Sequence, residues 1–229
     1  MTERACLLVL FGWIASGCGD NGALERPNET PDDPTIVKLD KGSLQGTLVG
    51  DSRQFLGIPY AKPPVGPLRW KAPEPADAWT DTFAAITFGK RCAQVANATL
   101  QNAASADEDC LYLNVWTPFP APDRAVPVML WIHGGGNVNG SASEPVPFIN
   151  SGVFYSGQFL AEQHGVVVVS INYRLGVFGF FAHPSLVAEG ASGNQGLLDQ
   201  RLAMQWVRDN IGRFGGDPSN VTIFGESAG

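Results

Sequence analysis

The stretch Val221-Thr222-Ile223-Phe224-Gly225-Glu226-Ser227-Ala228-Gly229 runs β-branched and aromatic residues straight into a Gly-x-Ser-x-Gly pentapeptide. An extended segment of this composition needs neighbouring strands to satisfy its backbone. The glycines of the pentapeptide then let the chain turn sharply enough to lift a serine hydroxyl above the sheet edge. The stretch reads as a short buried strand ending in a nucleophile elbow, with Ser227 at its apex. The pentapeptide alone is weak evidence, because a chain with 27 glycines in 229 residues produces such spacings by chance. The residues before it have to supply the context.

That context alternates strand and helix. Gln195 to Phe214 carries Ala203, Val207, Ile211 and Phe214 along one helical face, and Gly215-Gly216 ends it. Upstream, Val126 to Ile132 is a continuous apolar strand, expected to be buried on both faces. Gly152 to His164 is an expected helix stopping at Gly165, and Val166 to Ile171 is a further β-branched strand. Strand, helix, strand is the pattern of a parallel sheet in an α/β protein. Cys110 to Trp116 alternates like a half-buried strand. Ile36 to Leu39 and Leu44 to Val49 predict an N-terminal β-hairpin. Phe55 to Pro75 contains prolines at 59, 63, 64, 67, 73 and 75 and is expected to be a packed loop. No internal repeat is present at periods of about 20 to 50 residues.

Composition narrows the class of partner. Hydrophobic residues make up 44% of the chain, enough for a globular core, and the net charge is −7. Phosphate contacts need clustered Lys and Arg, which are lacking, so nucleic acid is not an expected partner. The four cysteines include no C-x-x-C pair, so neither a structural zinc nor a dithiol redox centre is expected; no cofactor is expected either.

The N-terminus has its own logic. Residues 1–18 pass from Thr2, Glu3 and Arg4 through an apolar run, Ala5 to Ile14, into Ala15-Ser16-Gly17-Cys18. They read as a signal peptide too short to span a bilayer. The last four residues resemble a bacterial lipobox, which implies cleavage before Cys18 and acylation of that cysteine. The alternative is a free thiol in a removed peptide. Residues 19–34 are polar and proline-rich and read as a flexible tether. The expected product is exported, as a bacterial cell-envelope lipoprotein or a secreted protein, with residues 35–229 forming the folded domain.

A second motif, Trp131-Ile132-His133-Gly134-Gly135-Gly136-Asn137, follows the Val126 strand. Three successive glycines leave backbone N–H groups unobstructed by any Cβ, so an anionic oxygen can approach several of them together. A glycine loop of this kind and an elbow, in this order, are the two halves of an oxyanion hole.

These features sit among longer runs: Phe55-Leu56-Gly57-Ile58-Pro59-Tyr60-Ala61, Glu108 to Val115, Asn172-Tyr173-Arg174, Gly196-Leu197-Leu198-Asp199-Gln200 and Phe214-Gly215-Gly216-Asp217-Pro218. Together they resemble the type-B carboxylesterase and cholinesterase family of α/β-hydrolases from about residue 35 onward. The resemblance implies an incomplete α/β-hydrolase fold, with a mixed, mostly parallel sheet and the N-terminal hairpin region. It implies an ester substrate, Ser227 as nucleophile and Gly135, Gly136 and Ala228 as oxyanion donors. It also implies a Cys92–Cys110 disulfide, which an exported chain would oxidise, and ion pairs Arg69–Glu108 and Arg174–Asp199.

In α/β-hydrolases the triad acid and histidine follow the serine. His133, His164 and His183 all precede Ser227, so none is expected to be the base. The chain reads as an N-terminal fragment, inactive by itself. Two departures bear on substrate. Asn137 stands where the family usually has an aromatic residue, and no aromatic residue lies between Cys92 and Cys110, which disfavours choline esters. Glu226 either tunes the site or is a structural carboxylate. A non-catalytic binding or adhesion module, known among relatives that have lost the nucleophile, is the alternative function.

Overall fold

The fold is taken from a computed structural model, which describes residues 33–96, 103–145 and 152–229. The expected signal peptide, Cys18 and nearly all of the tether lie outside the described residues. From Asp33 to Gly229 the chain packs as one unit.

Among the described residues nine strands form two mixed sheets. β1 (Ile36–Leu39) and β2 (Gly42–Gln45) make an antiparallel hairpin, and β5 (Phe83–Ala84) joins β2 in parallel. The hairpin is shorter than the sequence predicts. Gly46 is pressed against the Gln54 carbonyl and the Phe55 ring, so close that a Cβ there would lie 2.4 Å from the carbonyl oxygen. Beyond this pinch β3 (Thr47–Val49) leaves for the second sheet, pairing with β4 (Ser52–Pro59).

The second sheet has the order β3-β4-β6-β8-β7-β9, with β6 at Tyr112–Pro118, β7 at Val126–Ile132, β8 at Val167–Ile171 and β9 at Gly216–Gly225. The β3/β4, β4/β6 and β6/β8 joins are antiparallel, and only β8/β7 and β7/β9 are parallel. The sheet is therefore mixed rather than mostly parallel; the parallel part is confined to the end that carries the site.

Four strand expectations need correction. Phe55 to Pro59 is strand, not loop, because its proline comes last, where a missing N–H costs one terminal ladder bond. A bulge between Phe55 and Ile58 breaks the β4/β6 ladder there, and the Asn114 side chain accepts the freed Gly57 N–H at 2.9 Å. β6, expected to be half-buried, is buried on both faces, while β7, expected to be doubly buried, keeps Met129 and Trp131 half-exposed. The exchange follows from where α1 (Gln158–His164) lies, since it packs on β4, β6 and β8 rather than on β7. β9 is an edge strand whose Val221 and Ile223 are exposed, not a buried strand, because only β7 pairs with it among the described residues.

The helices are short apart from one. α1 begins six residues later than expected, at Gln158 rather than Gly152, since Val153 bridges to Pro145 and Gly157 presses against Val168. It ends as expected at Gly165, which is left-handed with φ 62°. α2 (Gly176–Gly179) and α3 (Pro184–Ala188) lead to α4 (Gln195–Asn210), which tightens into a 3-10 turn, Ile211–Phe214. The expected face is borne out: Ala203, Val207, Ile211 and Phe214 all reach the main core with Leu113, Val115, Val128 and Leu130. Fully burying each of the larger side chains contributes about 1.5–3 kcal/mol.

Three cross-links fix the loops. Cys92 and Cys110 are disulfide-bonded. Arg69 pairs with Glu108 through two nitrogens. The buried Arg174 donates to both oxygens of Asp199 at 2.8 and 2.7 Å and adds its backbone N–H at 2.9 Å.

Candidate active site

The site is placed by strand register. β7 and β9 are adjacent and parallel, and their last paired residues are Ile132 and Gly225. The glycine loop starting at His133 and the turn starting at Glu226 therefore leave the sheet side by side at its carboxyl edge.

The turn is tight. Gly229 N–H donates to the Glu226 carbonyl at 2.9 Å, and Ser227 sits at φ 56°, a left-handed conformation that costs a non-glycine residue about 1 kcal/mol or more. A Cβ on Gly225 would lie 2.6 Å from the Ile132 carbonyl oxygen, and one on Gly229 only 2.1 Å from it. Both motif glycines are thus required by the close approach of the β7 end. Gly134 plays the same role from the other side, since a Cβ there would come within 2.5 Å of a Glu226 carboxylate oxygen and 3.1 Å of the Ser227 Cβ. Ser227 is exposed.

The glycine loop folds back on itself. The Gly135 carbonyl accepts from the N–H groups of Val138 and Asn139, each at 3.1 Å. Gly135, Gly136 and Asn137 have φ of 100°, 61° and 60°. Asn tolerates that conformation better than an aromatic residue. The Asn137 carbonyl accepts from Gly176 N–H at 2.7 Å, and its side-chain oxygen accepts from the Tyr173 hydroxyl at 3.5 Å. Among the described residues the N–H groups of Gly135, Gly136 and Ala228 have no acceptor. The structure thus brings the glycine loop and the serine turn together, with donors on both left free.

The histidines are spread out. His133 is buried, stacks on Tyr173 with ring centroids 4.5 Å apart, and has Nδ1 2.9 Å from the Gly134 carbonyl oxygen. Burial depresses its pKa to about 4, against a smaller opposing effect of that carbonyl, so near neutrality it is an uncharged scaffold of the loop. His164 ends α1, and His183 caps α3 by accepting from Ser185 N–H at 3.3 Å.

Behind the loop lies a cavity of about 170 Å³, lined by His133, Gly134, Glu144, Phe154, Tyr155 and Glu226 among others. Burial raises the pKa of Glu144, against the pull of Arg91 and Ser141. Tyr155 is raised by burial first and then by the charges of Glu226 and Glu144. Glu226 therefore faces this cavity beside the serine turn. Glu144 and Tyr155 have no signature in the sequence, because they are brought to this cavity by loops that meet only in three dimensions.

Comparisons with known proteins agree with this geometry. The profile of the carboxylesterase family matches residues 33–229. A fumonisin B1 esterase of Sphingopyxis macrogoltabida is 48% identical over 205 residues, covering 86% of this chain and 36% of that protein. A para-nitrobenzyl esterase of Bacillus subtilis is 48% identical, covering 85% and 38%. A mouse cholinesterase is 44% identical, covering 85% and 32%. A solved PNB esterase structure superimposes with a TM-score of 0.75, over 85% of this chain and 38% of that one. The chain thus spans between about a third and two fifths of the length of these relatives.

Proposed function

Because the chain belongs to the carboxylesterase family, we propose that it carries the nucleophile and oxyanion-binding part of a serine carboxylic ester hydrolase. The observation that carries the reading is the level ending of β7 and β9, which sets Ser227 beside a glycine loop with unengaged N–H groups. Ser227 Oγ attacks the ester carbonyl carbon and loses its proton to a base. The carbonyl oxygen becomes an oxyanion bound by the N–H groups of Gly135, Gly136 and Ala228. Collapse expels the alcohol, and water then cleaves the acyl-enzyme.

His133 is unsuited to be the base, since it is buried, only weakly basic with its pKa depressed to about 4, and turned to its own loop. In α/β-hydrolases the acid and histidine come after the serine, and the relatives are more than twice as long as the matched region. Hydrolysis is accordingly assigned to the complete gene product.

The test is made on that product. Ser227→Ala is expected to abolish p-nitrophenyl ester hydrolysis and covalent labelling by a fluorophosphonate. Full hydrolysis in the variant would overturn the assignment of Ser227, whereas an unlabelled and inactive native protein favours the non-catalytic binding module instead.

Residues 1–18 and Cys18 are proposed as an export signal and a lipid-anchoring site, with the folded domain tethered by residues 19–34. The Cys92–Cys110 disulfide supports an oxidising compartment. Fatty-acid incorporation that Cys18→Ser abolishes is the expected result.

A further inference from the structure

We propose that Gln94 is a positioning residue of the oxyanion hole, clasping the glycine loop to the disulfide-bonded segment; the inference rests on the esterase reading above. Gln94 is buried, two residues beyond Cys92. Its own backbone is fixed by a two-way bridge to Ser105, with N···O distances of 2.8 and 2.9 Å. Its side-chain amide is fully committed. Nε2 donates to the carbonyls of Cys92 at 3.0 Å and Gly140 at 2.9 Å, while Oε1 accepts from Gly140 N–H at 2.9 Å. The amide thus holds the Gly140 residue by both of its backbone groups, as a neighbouring strand would.

Gly140 is where the glycine loop closes on itself. At φ 110° it packs so tightly that a Cβ would lie 2.6 Å from His133 Nδ1 and 2.7 Å from the Gly134 carbonyl oxygen. The residue before it, Asn139, donates its N–H to the Gly135 carbonyl, as does Val138. That carbonyl belongs to the same planar peptide unit as the Gly136 N–H, and in a trans peptide the two point in opposite directions. Holding the Gly135 oxygen therefore aims the Gly136 hydrogen. With φ positive at three successive residues from Gly135 to Asn137, two of them glycine, the segment has little intrinsic resistance to a peptide flip. Gln94 supplies it from outside the loop, and its hydrogen bonds are made to atoms that never touch substrate.

The experiment uses the complete gene product carrying Gln94→Met, which keeps the volume and removes the polar contacts. Backbone amide exchange at Asn139 and Gly140 is expected to quicken. Hydrolytic kcat is expected to fall about 10- to 100-fold, short of the full loss of an oxyanion donor, with KM within twofold. Affinity for a trifluoromethyl ketone, whose hemiketal oxygen occupies the same donors, is expected to fall in proportion to kcat/KM. A variant that matches the native protein in kcat and ketone affinity overturns the inference, as does a loss confined to KM. If the native protein neither hydrolyses esters nor binds the ketone, the esterase reading has failed and the positioning role falls with it. Should Gln94→Met not fold, Gln94→Glu answers the same question. Its carboxyl donates to one carbonyl only when protonated, so kcat relative to the native protein should decline as pH rises. A flat ratio would reject the clasp.

Discussion

Gly134 leaves no space for a methyl group between the glycine loop and the serine turn. Gly134→Ala would drive a Cβ to 2.6 Å from the Glu226 carbonyl oxygen and push Ser227 from its donors. Ester turnover is expected to fall about 100-fold or more, and the melting temperature, read by circular dichroism, is expected to fall as well, because Gly134 is buried and the new methyl meets backbone. At the same scale His133 predicts a pH dependence. Its folded pKa of about 4 lies below the exposed value of about 6.5, so the unfolded chain takes up the proton first as pH falls. The stability this histidine contributes is complete above about pH 6.5 and is lost as pH drops towards 4. The difference in melting temperature between the native protein and His133→Gln should shrink over that window, and an unchanged difference would refute the account. The serine, the three glycines and the cysteines were legible in the sequence because each answers a local demand for a turn or a covalent bond. Gln94, Glu144 and Tyr155 were not, since an isolated glutamine or tyrosine carries no record of the loop it will meet.

Elements are held by cross-links of unequal worth. The Arg174–Asp199 pair is almost wholly buried, and it joins the segment after β8 to the first half of α4. Asp199→Ala would strand the guanidinium away from water and is expected to cost about 3–5 kcal/mol, measurable by urea unfolding. Replacing both partners by apolar residues should cost much less. Removing the Cys92–Cys110 bridge, with a sequence separation of 18, is expected to cost about 3 kcal/mol, and addition of a reductant should reproduce the effect. α4 could be read from its period and its glycine stop. Strand burial could not be read so well: whether β6 or β7 is covered on both faces depends on where α1 docks, which no strand encodes in its own residues. The strand in Phe55 to Pro59 was hidden by the prolines that follow it, because composition over a window does not say which side of the boundary each proline falls on.

Across the molecule, one surface stands out. β9 is an edge strand with Ile223 53% exposed and Val221 also open, and such edges pair readily with other chains. The 229-residue chain alone is expected to associate in a concentration-dependent manner by light scattering, and Ile223→Lys should suppress this. No suppression would place the contact elsewhere. The α/β class and the parallel end of the sheet were evident from the order of apolar runs. The antiparallel β4/β6 and β6/β8 joins were not, because pairing partners far apart in sequence leave no periodicity to find. The β7/β9 ladder itself joins residues as distant as Ile132 and Gly225. Closing so long a loop is slow relative to forming local helices and hairpins. The serine turn gains its neighbouring glycine loop only when this late contact forms, so a chain still in transit or half-assembled carries an inert hydroxyl. Under the proposed mechanism the oxyanion donors therefore reach the nucleophile only late in folding.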